Sequence, residues 1–403
     1  MNKYKPNLLS LKTLYLLFFS YGLIALTAII TNAHDWNTNW DIDHAMYFGS
    51  RLLKGEKLWD VEFYDKLPFV QYLFSIPAYF KSLKVAILMI IFLTFVGCFF
   101  QFKAIKILYS DYEFKNKRVK YLFFLGPISY LYLTISSPLP FSHISSASSA
   151  FAMIAISTRI ILTKSNNNKI FFNLAFIFSS AFAISIRPYF FLPIIFLILF
   201  TIVRNFFKKE FKGLSKFELK KIIRKFAIQT FLLIIVCFTV NFLPYLNEDG
   251  IYSLSKGFNY LLNIDNPQNT LDTLKAIVLT LFSLKPLYLL ILSFSLIYSL
   301  FNLLKVIFWN HIFNIYRLDL LFFGIISPVI LFFTFLSIHF WTHYIHIINP
   351  FLAFNFNLVA FGLAKMFSKK NYLISNKFCS IMISIFLIVL IPEINETYKY
   401  LNS

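Results

Sequence analysis

The residues best suited to chemistry lie in a short polar segment near the start of the chain. The segment NWDIDHAMYFGSRLLKGEKLWDVEFYDKLPF follows an almost purely apolar run and contains five acidic residues: Asp41, Asp43, Asp60, Glu62 and Asp65. A carboxylate that loses part of its hydration binds a proton more readily, as a general base requires. We expect Asp41 to be the base, with Asp43 assisting it.

Other roles for this pair of aspartates are consistent with the same spacing. Two carboxylates one residue apart offer oxygen ligands of the kind that Mg²⁺ or Mn²⁺ prefers, so a divalent cation held by Asp41 and Asp43 is one hypothesis. Either aspartate could instead cap the start of a surface helix. These alternatives are open at the level of sequence.

Basic residues in apolar surroundings are candidates for binding a phosphate. Arg187 interrupts the apolar run AISIRPYFF, Lys66 lies in the acidic turn DKLPF, and Lys285 precedes a proline. Charged residues at membrane depth are costly and mark functional sites, and arginine offers phosphate a two-pronged donor. The alternatives are snorkelling of Arg187 to the membrane interface and a helix end at Lys285.

Histidines are concentrated in the stretch IHFWTHYIHIINP. His339 and His343 are four residues apart, and His343 and His346 are three apart, so a helix would place them on one face. The stretch predicts donors to a phosphate or sugar at His343, Tyr344 and His346, although interface anchoring or a Zn²⁺ site fits too. His143 in PLPFSHISSASS is a lesser candidate, and the small residues after it favour helix packing.

The composition indicates to which structural class the protein belongs. Hydrophobic residues make up 58% of the chain, charged residues 14%, and the mean hydropathy is +0.69. Soluble domains are nearer half apolar and a quarter charged, whereas apolar runs of about 20 residues recur here. We predict an all-α polytopic membrane protein with eleven spanning helices, near 10–31, 84–107, 119–136, 144–163, 169–186, 188–203, 226–245, 284–304, 319–338, 347–366 and 378–392.

The net charge of +20 reports membrane orientation and argues against a nucleic-acid partner. With a cytoplasmic N-terminus, 27 of the 38 basic residues fall on the cytoplasmic side and 13 of the 18 acidic residues on the other. The C-terminus is then outside, and we expect a bacterial inner (plasma) membrane. The first apolar run is too long for a cleaved signal peptide and is predicted to be retained.

The polar residues are predicted to lie in one membrane domain, 1–403, with no separate soluble domain. Its first outer loop, 32–83, contains HAMYFGSRLL, in which Ala45, Phe48 and Leu52 share one helical face. The segment PFVQYLFSIPAYF is also amphipathic and too short to span. Both stretches predict helices on the outer membrane surface, with Asp41 and Asp43 at the N-terminus of the first, where the helix dipole favours negative charge.

This loop resembles the first periplasmic loop of GT-C glycosyltransferases, in particular the protein-mannosyltransferase and aminoarabinose-transferase-like members. Their pattern is roughly D-E-x-x-Y, then A-R-x-L-x-x-G, then a Lys-Pro turn. Counting back from Gly55, Asp41 takes the place of the family aspartate, and DKLPF that of the turn. Ile42 replaces the acidic neighbour, His44 lies near the family tyrosine, and a single proline follows Lys66. The resemblance covers 39–80, with echoes at SIRPYFFLP and THYIHIINP.

The resemblance implies an inverting transfer of a sugar from a polyprenyl-phosphate donor to a glycolipid, surface polysaccharide or protein acceptor. Asp41 would be the base, and the residues expected to bind the donor phosphate are Lys66, Arg187, His343, Tyr344 and His346. Secondary candidates are His44, Tyr64, His143 and Lys285. The alternatives are a polymerase or ligase of lipid-linked oligosaccharides, and a lipid or sugar transporter or flippase. A transporter would be expected to show inverted repeats, and the sequence shows no repeat.

Overall fold

The structure of the protein is a computed structural model, and helices make up most of the residues that it describes. The described residues contain helices and turns and no β-strand. They are 40–56, 67–111, 122–137, 141, 143–163, 169–209, 216–243, 246, 255–256, 270–308, 314–336 and 342–370.

Twelve helices are numbered here in chain order within those residues. They are α1 Trp40–Leu52, α2 Phe69–Tyr79, α3 Leu83–Asp111, α4 Leu122–Ile135, α5 Ile144–Leu162, α6 Lys169–Ile186, α7 Phe191–Lys209, α8 Lys216–Phe242, α9 Thr270–Ser283, α10 Pro286–Phe308, α11 Ile315–Leu336 and α12 Asn349–Lys370. A π-helical turn, Phe322–Ile326, lies inside α11.

The helices confirm the prediction of an all-α polytopic membrane protein. Seven described segments are long and apolar enough to cross a membrane, and α4 is a shorter apolar helix. The predicted spans near 10–31 and 378–392 lie outside the described residues, so the total of eleven stays a prediction. The extents of α3, α5 and α6 agree with the sequence within a few residues.

Helix α5 is the central helix of the bundle. Every residue from Ile144 to Ile161 is buried, and α3 and α6 pack along its two sides. The serine and alanine side chains of SSASS are small enough to permit this close packing, as predicted. Several of its hydroxyls also form hydrogen bonds between helices, such as Ser148 to the carbonyl oxygen of Ala183 at 2.9 Å.

The first loop forms the pair of short helices predicted from its amphipathic pattern. Ala45 and Phe48 of α1 are buried against α2, and a Cβ at Gly49 would lie 2.5 Å from the backbone oxygen of Phe74. Gln71 donates to the carbonyl oxygen of Phe48 at 3.0 Å. The glycine therefore permits an approach that any larger residue would block.

The glycine of SRLLKG has a conformational reason of its own. Gly55 adopts φ +86° just after α1, in the left-handed region where glycine ends helices without strain. The chain turns back there, and Arg51 forms a 2.5 Å ion pair with Glu56. The motif that suggested a family likeness is thus also a helix stop.

Two prolines interrupt the helices where the apolar runs of the sequence are interrupted. One helix was not predicted. Helix α6 ends at Ile186 before Pro188, and α10 begins at Pro286. No helix was predicted between the spans near 226–245 and 284–304, yet the structure has helix α9 there. Its apolar residues run up to Lys285 and Pro286 and continue beyond them, so they did not stand out as a separate helix. Helix α8 likewise begins ten residues before the predicted 226, because its charged first turns extend the apolar span.

A buried ion cluster joins three helices at the end of the bundle opposite α1. Arg204 of α7 contacts Asp319 of α11 through two hydrogen bonds, at 2.6 and 2.9 Å, and Asp111 of α3 at 2.9 Å. A guanidinium that loses its hydration needs such carboxylate partners, and losing one of them would be strongly destabilising. The cluster fixes α3, α7 and α11 relative to one another.

Candidate active site

The break between α6 and α7 directs a charged side chain into the bundle. Arg187 is the residue before Pro188, and its backbone is extended, with φ −138° and ψ 99°. The proline ring disfavours helical geometry at the preceding residue, so the helix must stop there. The Arg187 side chain is 2% exposed, which rules out the alternative of snorkelling to the interface.

The guanidinium of Arg187 joins the first loop to the central helix. Its Nη2 donates to Oδ2 of Asp41 at 3.1 Å, and its Nε donates to Oγ of Ser145 at 2.9 Å. Its Cζ lies 5.0 Å from the centre of the Tyr344 ring, within the range of a cation–π contact. Three separate parts of the chain therefore meet at one arginine.

His143 holds the same carboxylate from the N-terminus of α5. Its Nδ1 accepts the backbone N–H of Ser145 at 3.0 Å, which caps the helix. An accepting Nδ1 carries no proton, so the neutral ring has its proton on Nε2. That atom lies 2.5 Å from Oδ2 of Asp41 and donates to it.

The stretch THYIHIINP, predicted to donate to a phosphate or sugar, forms the third side of the site. Residues Thr342–Ile347 are a 3-10 helix, and Tyr344 and His346 are buried. The hydroxyl of Tyr189 lies 3.4 Å from that of Tyr344. Oγ of Ser146 lies 3.4 Å from Nδ1 of His346. The turn thus contacts the start of α5 and the segment after Arg187.

Hydrogen bonds outside the ionic group fix the position of the first loop. The backbone N–H of Phe69, the first residue of α2, donates to Oδ1 of Asn241 at 3.1 Å. Nδ2 of Asn241 in turn donates to Oγ of Ser185, two residues before Arg187, at 2.7 Å. The loop with Asp41 and the helix end with Arg187 are therefore held by one buried amide.

The structure brings together five of the residues predicted from the sequence: Asp41, His143, Arg187, Tyr344 and His346. Asp43 and His44 are half-buried on α1, and His44 packs edge-on against Phe48. Lys285 is half-buried at the start of α10, and its carbonyl oxygen accepts from Leu289. Tyr64, Lys66 and His339 lie outside the described residues, as does the side chain of His343. The functional roles of all these residues stay predictions.

The positions of Asp41 and Asp43 on α1 argue against a divalent cation held by the two carboxylates. Residues two apart on a helix do not face each other, and Asp41 already accepts from Arg187 and His143. Among the described residues, no three of the types His, Cys, Asp and Glu lie close enough together to hold a metal ion. Because a cationic guanidinium beside the carboxylate opposes a second cation, the described arrangement of Asp41 and Asp43 does not favour a metal ion there.

Sequence reasoning missed three polar residues of the site, namely Ser145, Ser146 and Tyr189. The two serines were assigned to helix packing, which is only half of what they do. A histidine directly before a serine-rich helix start was the available signal, since a cap at His143 places the first serines beside it. Nothing in the sequence distinguishes Tyr189 from the many other aromatic residues.

The two functions of His143 can be separated by substitution. Asparagine also caps helices but is too short to reach Asp41, so His143→Asn should keep the cap, lose less thermal stability than His143→Ala, and lower turnover. A hydrogen bond to a charged group contributes about 1.5–3 kcal/mol, which corresponds to a loss of roughly 10- to 150-fold. His143→Ala should lose the cap as well and unfold at a lower temperature. Wild-type turnover in His143→Asn would remove the histidine from the site.

The described helices define the chain as a polytopic membrane protein of GT-C-like fold. It is similar to the crystal structure of ArnT from Cupriavidus metallidurans bound to undecaprenyl phosphate, with a TM-score of 0.53 and 10% sequence identity. That similarity covers 98% of this chain and 74% of the other. The apo structure of the same ArnT gives a TM-score of 0.53 and 11% identity, over 88% of this chain and 61% of that one.

These structural similarities establish the fold and leave the activity to be inferred from the site. Neither a protein-family model nor a curated protein matches the chain. At 10% identity the likeness lies in the path of the helices. The resemblance noted in the first loop is therefore confirmed as one of fold.

Proposed function

We propose that this protein is an inverting glycosyltransferase that moves a sugar from a polyprenyl-phosphate donor to a glycan, glycolipid or protein acceptor. The observation that carries the proposal is the contact of Asp41 with Arg187 and His143 in a GT-C-like bundle. Such a site combines a carboxylate that can take a proton with a cation that can hold a phosphate. ArnT, whose fold this chain shares, was crystallised with undecaprenyl phosphate.

In the proposed reaction, the acceptor group attacks the anomeric carbon as the bond to the donor phosphate breaks. The acceptor proton moves to Asp41, and the electron pair of the broken bond goes to the phosphate oxygen. The products are the glycosylated acceptor and free polyprenyl phosphate. Arg187 stabilises the growing negative charge on the leaving phosphate, an effect that is strong in a water-poor site.

Burial of the site supports this division of roles. Asp41 is 8% exposed, and the two groups that donate to it hold its carboxylate in one orientation. Both of these donors bond to Oδ2. We assign the acceptor proton to the carboxylate of Asp41. His143, which touches the carboxylate and not the reacting atoms, is a positioning residue.

The proposal also includes the side of the membrane on which the site lies. The spanning helices make this an integral membrane protein, and membrane lipids surround it. We place the site at the outer face of a bacterial inner membrane, with the N-terminus cytoplasmic, because the basic residues favour that orientation. A polyprenyl chain would then reach the site from within the bilayer.

Release of polyprenyl phosphate is the measurement that tests the function, because every acceptor yields this product. The purified protein would be reconstituted in liposomes with a panel of polyprenyl-phosphate sugars and membrane glycolipid or polysaccharide extracts. We expect one donor to release polyprenyl phosphate only when acceptor is present, and the Asp41→Asn variant to release far less. Movement of the intact donor across the membrane without release would favour a flippase instead.

A further inference from the structure

A second buried arginine lies far from the candidate active site on the central helix. Arg159 is fourteen residues after Ser145 on α5, about 21 Å along the helix axis. It is one turn before the end of α5, at Leu162. It is 5% exposed and was counted in the sequence only as one of the basic residues that set orientation.

The partners of Arg159 are all uncharged. Its Nε donates to Oγ1 of Thr201 at 2.7 Å, and its Nη2 donates to Oε1 of Gln229 at 2.6 Å and to the Ile198 carbonyl oxygen at 3.4 Å. Its guanidinium lies 5.1 Å from the centre of the Phe176 ring. Arg187 and Arg204, by contrast, each contact a carboxylate.

The charge of Arg159 is therefore not neutralised by the protein in the part of the chain that the structure describes. Its Nη1 donates to no acceptor there, although Nε and Nη2 are fully used. An ionisable residue in a spanning helix without a counter-ion is a candidate binding site for one. Arginine forms paired hydrogen bonds with the oxygens of a phosphate.

Exposed lysines lead from the end of the bundle to this arginine. Lys221 and Lys225 precede Gln229 by eight and four residues on α8, so the three form one ridge. Lys169 precedes Phe176 by seven residues on α6, which packs against α8. All three lysines are exposed. They place three positive charges at the end of the bundle where Arg159 lies.

The surfaces of α6 and α8 beyond the lysines carry exposed apolar side chains. Phe171 and Leu174 on α6 and Ile228 and Phe231 on α8 are all exposed, as lipid-facing residues are. Acyl chains can lie along these residues while a headgroup meets the lysines. A free phosphate ion would gain nothing from the apolar side chains, whereas an anionic lipid uses both surfaces.

We propose that Arg159 binds the phosphate of an anionic phospholipid between α6 and α8, in the leaflet opposite the candidate active site. Arg159 supplies the hydrogen bonds through Nη1, and Lys169, Lys221 and Lys225 supply charge at the membrane surface. The bound lipid neutralises the guanidinium and connects α6 to α8 at that end. This site is independent of the proposed transferase activity.

Native mass spectrometry of the purified full-length protein tests the proposal. The probes are phosphatidylglycerol, phosphatidylcholine and inorganic phosphate, each added to delipidated protein in neutral detergent. We expect retention of one phosphatidylglycerol in preference to phosphatidylcholine, and Arg159→Gln to weaken that binding about tenfold or more. Arg159→Lys should lose less, because it keeps the charge. Equal competition by millimolar inorganic phosphate would overturn the lipid assignment.

A matched pair of variants controls for general loss of charge and for folding. Lys221→Gln with Lys225→Gln removes two exposed charges from α8 and should weaken phosphatidylglycerol binding by about fivefold for each lysine. Lys103→Gln with Lys106→Gln removes two exposed charges from α3, on the other side of α5, and should change nothing. If Arg159→Gln does not fold, the first pair decides. Equal binding by both pairs would refute the site.

Discussion

Replacement of Asp41 by asparagine is expected to lower turnover by roughly 10²–10⁴-fold, the range that a general base contributes. Asparagine has nearly the same shape and still accepts from His143 and Arg187 through its amide oxygen, so the protein should remain folded. Steady-state release of polyprenyl phosphate, with thermal unfolding in parallel, provides the measurement. Near-normal turnover in the folded variant would show that Asp41 is not the base.

The contact between Asp41 and Arg187 raises a second explanation that the same variant resolves. Asp41 could serve only to orient the arginine, since the two side chains form a buried ion pair. In that case Asp41→Asn would raise the KM for the donor and leave kcat nearly unchanged. A base that acts only in the transition state changes kcat instead. The split between kcat and KM therefore separates proton transfer from positioning.

Asp43 provides the matched control for this substitution. It is on the same helix, two residues further on, and is half-buried where Asp41 is buried. Asp43→Asn makes the same chemical change without touching the ionic group. It is expected to reduce turnover far less than Asp41→Asn does. Equal losses in the two variants would indicate that the charge of the helix start matters more than any one carboxylate.

Local patterns were sufficient to predict the two described helices of the first loop. Its two helices bury one face each, so apolar residues recur at helical spacing and Gly55 marks where α1 ends. A charged residue before a proline in an apolar run was likewise a reliable sign at Arg187. Both signals are contained within a few consecutive residues.

The pairing of side chains across the bundle could not be predicted in this way. Asp41 and Arg187 are 146 residues apart, and their contact depends on how α1, α5 and α6 are placed relative to one another. Helix α5 is buried on every side, so its sequence has no polar face that would reveal this rotation. The same reason hid the roles of Ser145 and Ser146. The ion cluster around Arg204 joins residues of α3, α7 and α11 that are far apart in the sequence, so no local pattern predicted it.

Arg187 variants are expected to show the second large effect, in donor binding. Arg187→Lys keeps the charge but loses the two-pronged geometry, and should raise the KM for the donor about tenfold. Arg187→Ala loses charge and hydrogen bonds together, and should raise it about 100-fold or more. The KM for the acceptor should change little in either variant, because the proposed contact is with the leaving phosphate.

Loss of Arg187 also leaves Asp41 without its cation, so stability must be separated from binding. A buried carboxylate that loses its cation destabilises the fold, and Arg187→Ala alone would combine that cost with the loss of the phosphate contact. The double variant Asp41→Asn with Arg187→Gln removes both charges and should recover much of the thermal stability. If donor KM recovered along with stability, Arg187 would be a structural partner of Asp41. If it stayed high in the stable double variant, the arginine would bind the donor, as a phosphate clamp beside the base requires.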